Sequence, residues 1–422
     1  MRTKPEYSAQ VFNEIGPLKE MIVWGEPSCE ALLGQLLPKS QSLFLNYYEV
    51  PEARQEFRRM QVLIEGQGIK VTRAKDAFAR LLGDKPILNL PGTLKDLESQ
   101  MLRKADEYFE SYQLDKIQEI ANQRAQNNAE DIFLQVKIDI KRVLQEDAEA
   151  YGESSAIRLN YVLSLSQELP IANIFYGRDQ ANALGDQIVL SSMRWKIRKP
   201  EIGIYKEALI ELGYQGVLVE VAQGTAEGGD MMMFGDTCYI GVGSRTSLPG
   251  VKDIYKKIGT KLEEQGIQFV AIVNERHELE SAALSSPTEE QMPVMHLDMF
   301  WMPLGRDLAM AYGTEVDARK IMHFRANKGE IIIEEGGSFR DYLANRHIQL
   351  MEVTAQEQKD YATNLLNLGN DRVIVSLSKN QRVIAELQRL GYQVFEAELN
   401  KLVGGYGAIH CLTAPIRRDK PS

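Results

Sequence analysis

Five stretches of the chain carry the same order of apolar and polar positions: a helical stretch, a break, then a short apolar strand. They are EFRRMQVLIEGQGIKVTRA, YKEALIELGYQGVLVEV, IYKKIGTKLEEQGIQFVAIV, FRDYLANRHIQLMEV and QRVIAELQRLGYQVFEAEL, with the break at Gly68, Gly213, Gly266, His347 and Gly391. Glycine after a helix is the usual left-handed cap, and the segment that follows each break is too apolar to be a loop. Each helix is itself preceded by a strand-like run: KEMIVWG, QIVLSSM, CYIGVGS, MHLDMFW and RVIVSLS. Five strand–helix–strand units at irregular spacing predict an α/β array rather than a regular solenoid.

One interval lies outside this pattern. From Thr93 to Tyr151 there is no Gly or Pro, and LKDLESQMLRKADEYF and DIFLQVKIDIKRVLQEDAEAY place apolar residues at helical spacing. The interval reads as a helical bundle inserted between the first and second units, with charges of alternating sign that make a solvated surface and not a basic patch. The expected organisation is a first unit over 1–92, a helical insertion over 93–168, and four further units over 169–422.

Composition narrows the function classes. With 59 acidic against 49 basic residues in 422, the formal net charge is −10, which repels phosphate backbones and argues against nucleic acid or anionic membrane as partner. No apolar run reaches the ~20 residues that span a bilayer. The N-terminal MRTKPEYSAQVFNEIG lacks a signal-peptide core. Three cysteines, Cys29, Cys238 and Cys411, are too few and too odd for a disulfide framework, so a cytoplasmic protein is expected.

Four pieces carry candidate chemistry: NIFYGRDQANALGDQIVLSSM with Asn173, Arg178 and Asp179; AEGGDMMMFGDTCYIGVGSRTS with Glu227, Asp230 and Arg245; MHLDMFW with His296 and Asp298; and GGYGAIHCLTAPIRRD with His410 and Cys411. If MHLDM is a strand, His296 and Asp298 share a face. If AIHCLT is a strand, His410 and Cys411 point to opposite faces, which places His410 on the back. His296 is then the better base, and among His277, His296, His323, His347 and His410 it alone has a same-face carboxylate. There is no GxGxxG opening a helix, no phosphate-binding loop and no nucleophile elbow. His296, Asp298 and Asp230 could be read as a metal set, but HxD lacks a third ligand at a recognised spacing. A cysteine protease needs Cys, His and an orienter but no surplus of acids. A thiol among several carboxylates better suits a planar cation with an electrophilic carbon, and a guanidinium fits that description. Arg198, in MRWKIRKPE, would ordinarily be a solvated loop residue, while Cys29 and Cys238 read as structural.

Taken together, NEIGPLKEMIVW, the helical insertion, the Asn–x–x–x–x–Arg–Asp segment, EGGD, IGVGSRTS, HLD and the terminal Cys resemble the guanidino-group-modifying enzymes of the pentein superfamily, arginine deiminase most of all. The resemblance covers nearly the whole chain. It implies a five-bladed, pseudo-fivefold α/β propeller with an inserted helical bundle, no cofactor and no metal, and as partners a small arginine-like guanidino substrate and further copies of the chain. It implies Cys411 as nucleophile, His296 as general acid–base, Glu227 as the acid that orients and charges it, and Asp179 and Asp298 as the carboxylates that grip the guanidinium. Asn173, Arg198 and Arg245 match positions that hold the amino-acid end of arginine. One departure stands out: where deiminases carry an arginine in the Gly-rich loop before the nucleophile, this chain has Tyr406. The ending IHCLTAPIRR and the opening NEIGPLKEMIV are similar to the amidinotransferases. The expected reaction is hydrolysis of L-arginine to L-citrulline and ammonia, with amidino transfer to an amine and a silent guanidino-binding homologue as the alternatives.

Overall fold

All five breaks adopt a left-handed backbone, with φ of +79° at Gly68, +96° at Gly213, +78° at Gly266, +58° at His347 and +93° at Gly391. His347 accepts a conformation that most side chains avoid, which is why the fourth copy is the hardest to see in the sequence. The computed structural model describes residues 7–38, 41, 43–83, 85–122, 129–275, 295–377 and 379–421; His277 lies outside the described residues.

Among these residues seventeen strands form five sheets. Four sheets follow one plan: two antiparallel strands, a helix, and a third strand parallel to the second. β3 (Ala181–Leu184), β4 (Gln187–Leu190) and β5 (Leu218–Glu220) make one, around helix Lys199–Glu211. β6 (Met231–Phe234), β7 (Thr237–Val242) and β8 (Gln268–Asn274) make the next, around helical residues 248–264. β9 (Trp301–Gly305), β10 (Leu308–Ala311) and β13 (Gln349–Glu352) enclose helix Phe339–Asn345, and β14 (Leu366–Gly369), β15 (Arg372–Val375) and β16 (Gln393–Glu396) enclose helix Gln381–Arg389. The remaining sheet joins the two ends of the chain. β17 (Ala414–Arg418) lies antiparallel to β1 (Leu18–Val23), which is parallel to β2 (Lys70–Arg73) across helix Val50–Glu65. A hairpin that the periodicity does not announce, β11 (Arg319–Asn327) and β12 (Glu330–Ser338), extends the β6–β8 sheet to five strands.

The first strand of each plan is a sheet edge, yet β3, β6 and β14 are buried at every position. Side-chain amides occupy the edges that no strand covers. Asn182 of β3 donates to the carbonyls of Gly228 and Met231, and Asn367 of β14 donates to those of Pro303 and Leu304. These bonds satisfy backbone groups that burial would otherwise leave unpaired. With both faces covered, such strands show no polar alternation.

The helical interval forms Leu94–Asn122, Ala129–Tyr151 and Glu153–Ser164, the last two separated by Gly152 at φ +80°. Leu97, Met101, Ala105 and Tyr108, at helical spacing, share an apolar core with Cys29, Leu32, Leu33 and Phe57. A buried polar cluster fastens the same contact: Arg54 Nη2 lies 2.7 Å from Asp147 Oδ1, Ser28 Oγ donates to Asp147 Oδ2 at 2.7 Å, and Lys75 Nζ donates to Ser28 Oγ at 2.6 Å. No helix among the described residues is long and apolar enough to cross a membrane.

Candidate active site

Each sheet is entered through a short turn, and the five turns deliver the polar side chains of the site. Asp179 sits in the turn Gly177–Gln180 before β3; Glu227 and Asp230 lie at the turn before β6; His296 and Asp298 lie at the turn before β9; Asn364 precedes β14; Cys411 lies in Ile409–Leu412 before β17. All of them are buried. Residues separated by more than 200 positions meet because every sheet contributes the same local feature.

Two local expectations are corrected here. MHLDMFW is not a strand through its chemistry: Leu297–Met299 is a 3-10 turn, and β9 begins only at Trp301. AIHCLT is a helical turn, not a strand, so His410 does not lie on a back face. Its Nδ1 is 2.7 Å from Asp298 Oδ2. Both errors have one cause, since every residue from Ala408 to Ile416 is buried and the run carries no alternation from which a period could be read.

Around the sulfur, Cys411 Sγ lies 3.7 Å from Asp298 Oδ2 and accepts a hydrogen bond from Asn364 Nδ2 at 3.2 Å. Burial pushes the thiol well above its ordinary pKa, and the charges of Asp298 and Asp179 push the same way. Burial raises the Asp298 carboxyl to about 7, with Asp179 and Asp230 adding to it against the opposing charges of His296 and Arg178. Burial also lifts Asp230 to about 6. His410 is held well below its usual value by burial, Arg178 and Arg418, so its imidazole is neutral.

The imidazole of His296 is set between acids. Its Nε2 is 3.0 Å from Glu227 Oε2, and its Nδ1 is 3.8 Å from Asp179 Oδ1. Burial opposes the charge, but Asp179, Glu227 and Asp230 outweigh it and raise the pKa to about 10. Burial likewise works against ionised Glu227, yet Arg245 and His296 hold it well below the usual carboxylate range. Arg245 Nη1 reaches Glu227 Oε2 at 3.1 Å. Gly229 is the residue that lets the ring approach: a Cβ there would stand 2.6 Å from His296 Nδ1.

Arg198 is buried, not solvated, because carboxylates replace its water. Its Nε and Nη2 grip Glu201, with Nη2 at 2.9 Å, and its Nη1 reaches Asp179 Oδ2 at 2.6 Å. A guanidinium of the chain itself thus occupies one oxygen of Asp179, while the other oxygen has no hydrogen-bond partner among the described residues. Asn173 donates to the Gly405 carbonyl at 3.4 Å, and its buried Oδ1 also lacks a hydrogen-bond partner among the described residues. A narrow cavity of about 20 Å³ opens among Asn173, Asp179, Arg198, Arg245, His296, Tyr406 and Cys411. Tyr406, at φ +80°, lines it. Tyr176 holds the loop before Cys411 by donating to the Leu402 carbonyl at 2.6 Å.

Asp179, Glu227 and His296 bring one potential ligand atom each within 4.8 Å of one another, the set that could hold a metal. Asp179 and Glu227 are each already paired with an arginine, so the acids are balanced by the protein's own cations. Sequence reasoning missed Asn364, which belongs to no quoted motif; its only signal is its place just before the first strand of a unit. It also missed Glu201, the partner of Arg198 three residues away.

The arginine deiminase family model matches residues 40–418. The chain belongs to the arginine deiminase family. It is 20% identical to the arginine deiminase of Mycobacterium avium, across 96% of this chain and 97% of that one. Its fold is that of a dimethylarginine dimethylaminohydrolase solved as an adduct with S-methyl-L-thiocitrulline (TM-score 0.52, 16% identity, 94% of this chain and 99% of that one). It is equally that of an amidinotransferase of saxitoxin biosynthesis from Microseira wollei (TM-score 0.54, 14% identity, 98% of each chain). The fold and the family support a guanidino-modifying enzyme.

Proposed function

We propose that this protein hydrolyses L-arginine to L-citrulline and ammonia through an amidino-Cys411 intermediate. The observation that carries this reading is the meeting of one thiol, one charged imidazole and the Asp179 carboxylate around a single buried cavity, with Asp298 Oδ2 3.7 Å from the sulfur. In this reading the five sheets are the blades of a pseudo-fivefold propeller, with the helical interval as an insertion and the site where the entry turns converge.

The carboxylates of Asp179 and Asp298 bind the guanidinium nitrogens, which turns its carbon toward Sγ and removes orientational freedom from the attack. The substrate's positive charge offsets the acids that hold the thiol protonated, and Asp298 Oδ2 is a near acceptor for its proton. The S–C bond forms; His296 gives its proton to the departing nitrogen, the C–N bond breaks and ammonia leaves. The neutral imidazole then takes a proton from water as the oxygen adds to the amidino carbon. The C–S bond breaks, the sulfur takes back the proton held by Asp298, and the proton left on the product's new hydroxyl goes to ammonia, so that citrulline and ammonium are released. Glu227 holds the imidazole in place and charged for the first half. Asn173, Arg198 and Arg245 line the same cavity and in this reading hold the amino-acid end of arginine once it opens; for Arg198 this means giving up Asp179 to the substrate.

Amidino transfer is the second reading, favoured by Tyr406 on the cavity wall in place of a loop arginine and by the whole-chain likeness to an amidinotransferase fold. Incubation with arginine, with and without glycine, lysine or other amines, separates the two. Citrulline and ammonia formed without amine support hydrolysis; ornithine formed only when an amine is present replaces it with transfer. Gly229→Ala tests the role of the imidazole. Its new methyl must displace the His296 ring, and a displacement of this kind lowers kcat by about 100-fold. Unchanged turnover in that variant removes His296 from the mechanism.

A further inference from the structure

Of the five entry turns, four supply residues that the proposed reaction uses, and the fifth presents Asn364, just before β14. Asn364 is fully buried and all three parts of it are engaged with the nucleophile's turn. Its Oδ1 accepts from the backbone N–H of His410 at 3.1 Å and of Cys411 at 3.3 Å. Its Nδ2 donates to Cys411 Sγ at 3.2 Å and lies 3.5 Å from Met299 Sδ. Its backbone carbonyl accepts from Ser376 Oγ at 3.0 Å, and that same hydroxyl accepts from the Ile409 N–H at 3.0 Å.

The orientation of the carboxamide follows from chemistry and not from a choice between two similar atoms. Two backbone N–H groups converge on one end of it, and only an oxygen can accept them. The other end is therefore the NH2 group, and it points at sulfur. The first N–H groups of a helical turn have no partner within it, so Ser376 and Asn364 together cap the three that precede and include the nucleophile. We propose that Asn364 is the thiolate-holding residue of this enzyme: its oxygen fixes the Cys411 turn while its nitrogen donates a hydrogen bond to Sγ that strengthens as the sulfur gains charge.

The need for such a donor comes from what else faces the sulfur. Asp298 and Asp179 oppose a negative sulfur from two neighbouring turns, and the buried hydroxyl of Tyr176 donates elsewhere, to Leu402. His296 is held by Glu227, and His410, neutral, is turned to Asp298. Asn364 supplies a donor without adding a charge, so it favours the thiolate without competing with a cationic substrate for the acids.

The inference rests on Cys411 being the nucleophile but not on the identity of the acceptor. The test is the pH dependence of Cys411 alkylation by iodoacetamide in the full chain without substrate, read by peptide mass mapping, which separates Cys411 from Cys29 and Cys238. Asn364→Asp keeps an oxygen for the two N–H groups but loses the donor and adds a charge, whereas Asn364→Ala loses the donor without adding one; the alkylation midpoint rises by roughly 1–2 pH units in both. In turnover the kcat of Asn364→Asp falls by about 10- to 100-fold, with KM within roughly threefold of the parent. Ser376→Ala removes the brace on the turn but not the bond to sulfur, and its midpoint stays within about 0.3 unit. If the new carboxylate prevents folding, Asn364→Ala makes the comparison alone. An unchanged midpoint in either folded Asn364 variant, or an equal rise in Ser376→Ala, overturns the proposal. Failure of the parent to turn over any guanidino compound counts against the proposed function, and the alkylation profiles still decide the role of Asn364.

Discussion

Cys411→Ala abolishes turnover, lowering kcat by at least about 10⁴-fold, because no other group can form the covalent intermediate. Cys29 and Cys238 cannot substitute: burial pushes both thiols up, with the charges of Asp147 and Glu30 adding to it at Cys29, and neither borders the cavity. Acid quenching of the parent during turnover traps a chain heavier by one amidino substituent, mapped to the peptide that holds Cys411. Asp298→Asn accumulates less of it, since the carboxylate that faces both sulfur and guanidinium is gone. Citrulline formation by Cys411→Ala at more than about one per cent of the parent rate excludes covalent catalysis.

Asp147→Ala destabilises the protein by about 3–5 kcal/mol, read as a lower urea midpoint, because Arg54 and Lys75 stay buried with a fully buried counter-charge that they share removed. Urea is the suitable denaturant, since guanidinium resembles the proposed substrate group. The pH dependence has a definite sign. Burial opposes ionisation of Asp147 and Glu26, but Lys75 and Arg54 outweigh it for both, with Arg73 adding to the effect on Glu26, and each carboxyl is lowered to about 2. A depressed carboxyl contributes stability above its unfolded value near 4, and that contribution is lost as pH falls through about 2. Asp147→Asn therefore shows a shallower loss of stability between about pH 4 and pH 2 than the parent. An unchanged acid profile detaches the cluster from the stability of the protein.

The candidate site was legible wherever chemistry is written in short, local runs. EGGD, HLD and the terminal Cys name Glu227, Asp230, His296, Asp298 and Cys411 without any knowledge of contact. What surrounds them was not legible. Arg198 sits in a run of basic residues that reads as solvated, and only Glu201 and Asp179 explain its burial. The turn around Cys411 reads as a strand because its neighbours are apolar on every side. Its helical form depends on two side chains, Asn364 and Ser376, that lie 33 to 47 positions earlier.

The sequence by itself determined the repeated unit. A helix ending in a left-handed break and an apolar strand are local events, set by backbone sterics and by the spacing of apolar residues, and all five breaks, His347 included, are where the pattern puts them. It also determined the helical interval, through an uninterrupted run without glycine or proline. The tertiary structure alone decided that β17 returns to pair with β1, that β11 and β12 widen one sheet, and that five entry turns meet at one point. Those outcomes depend on the burial of whole sheets against one another, and no residue carries a signal for a neighbour several hundred positions away. The acids of the site take their charge states from that meeting, so which groups hold protons is a property of the fold.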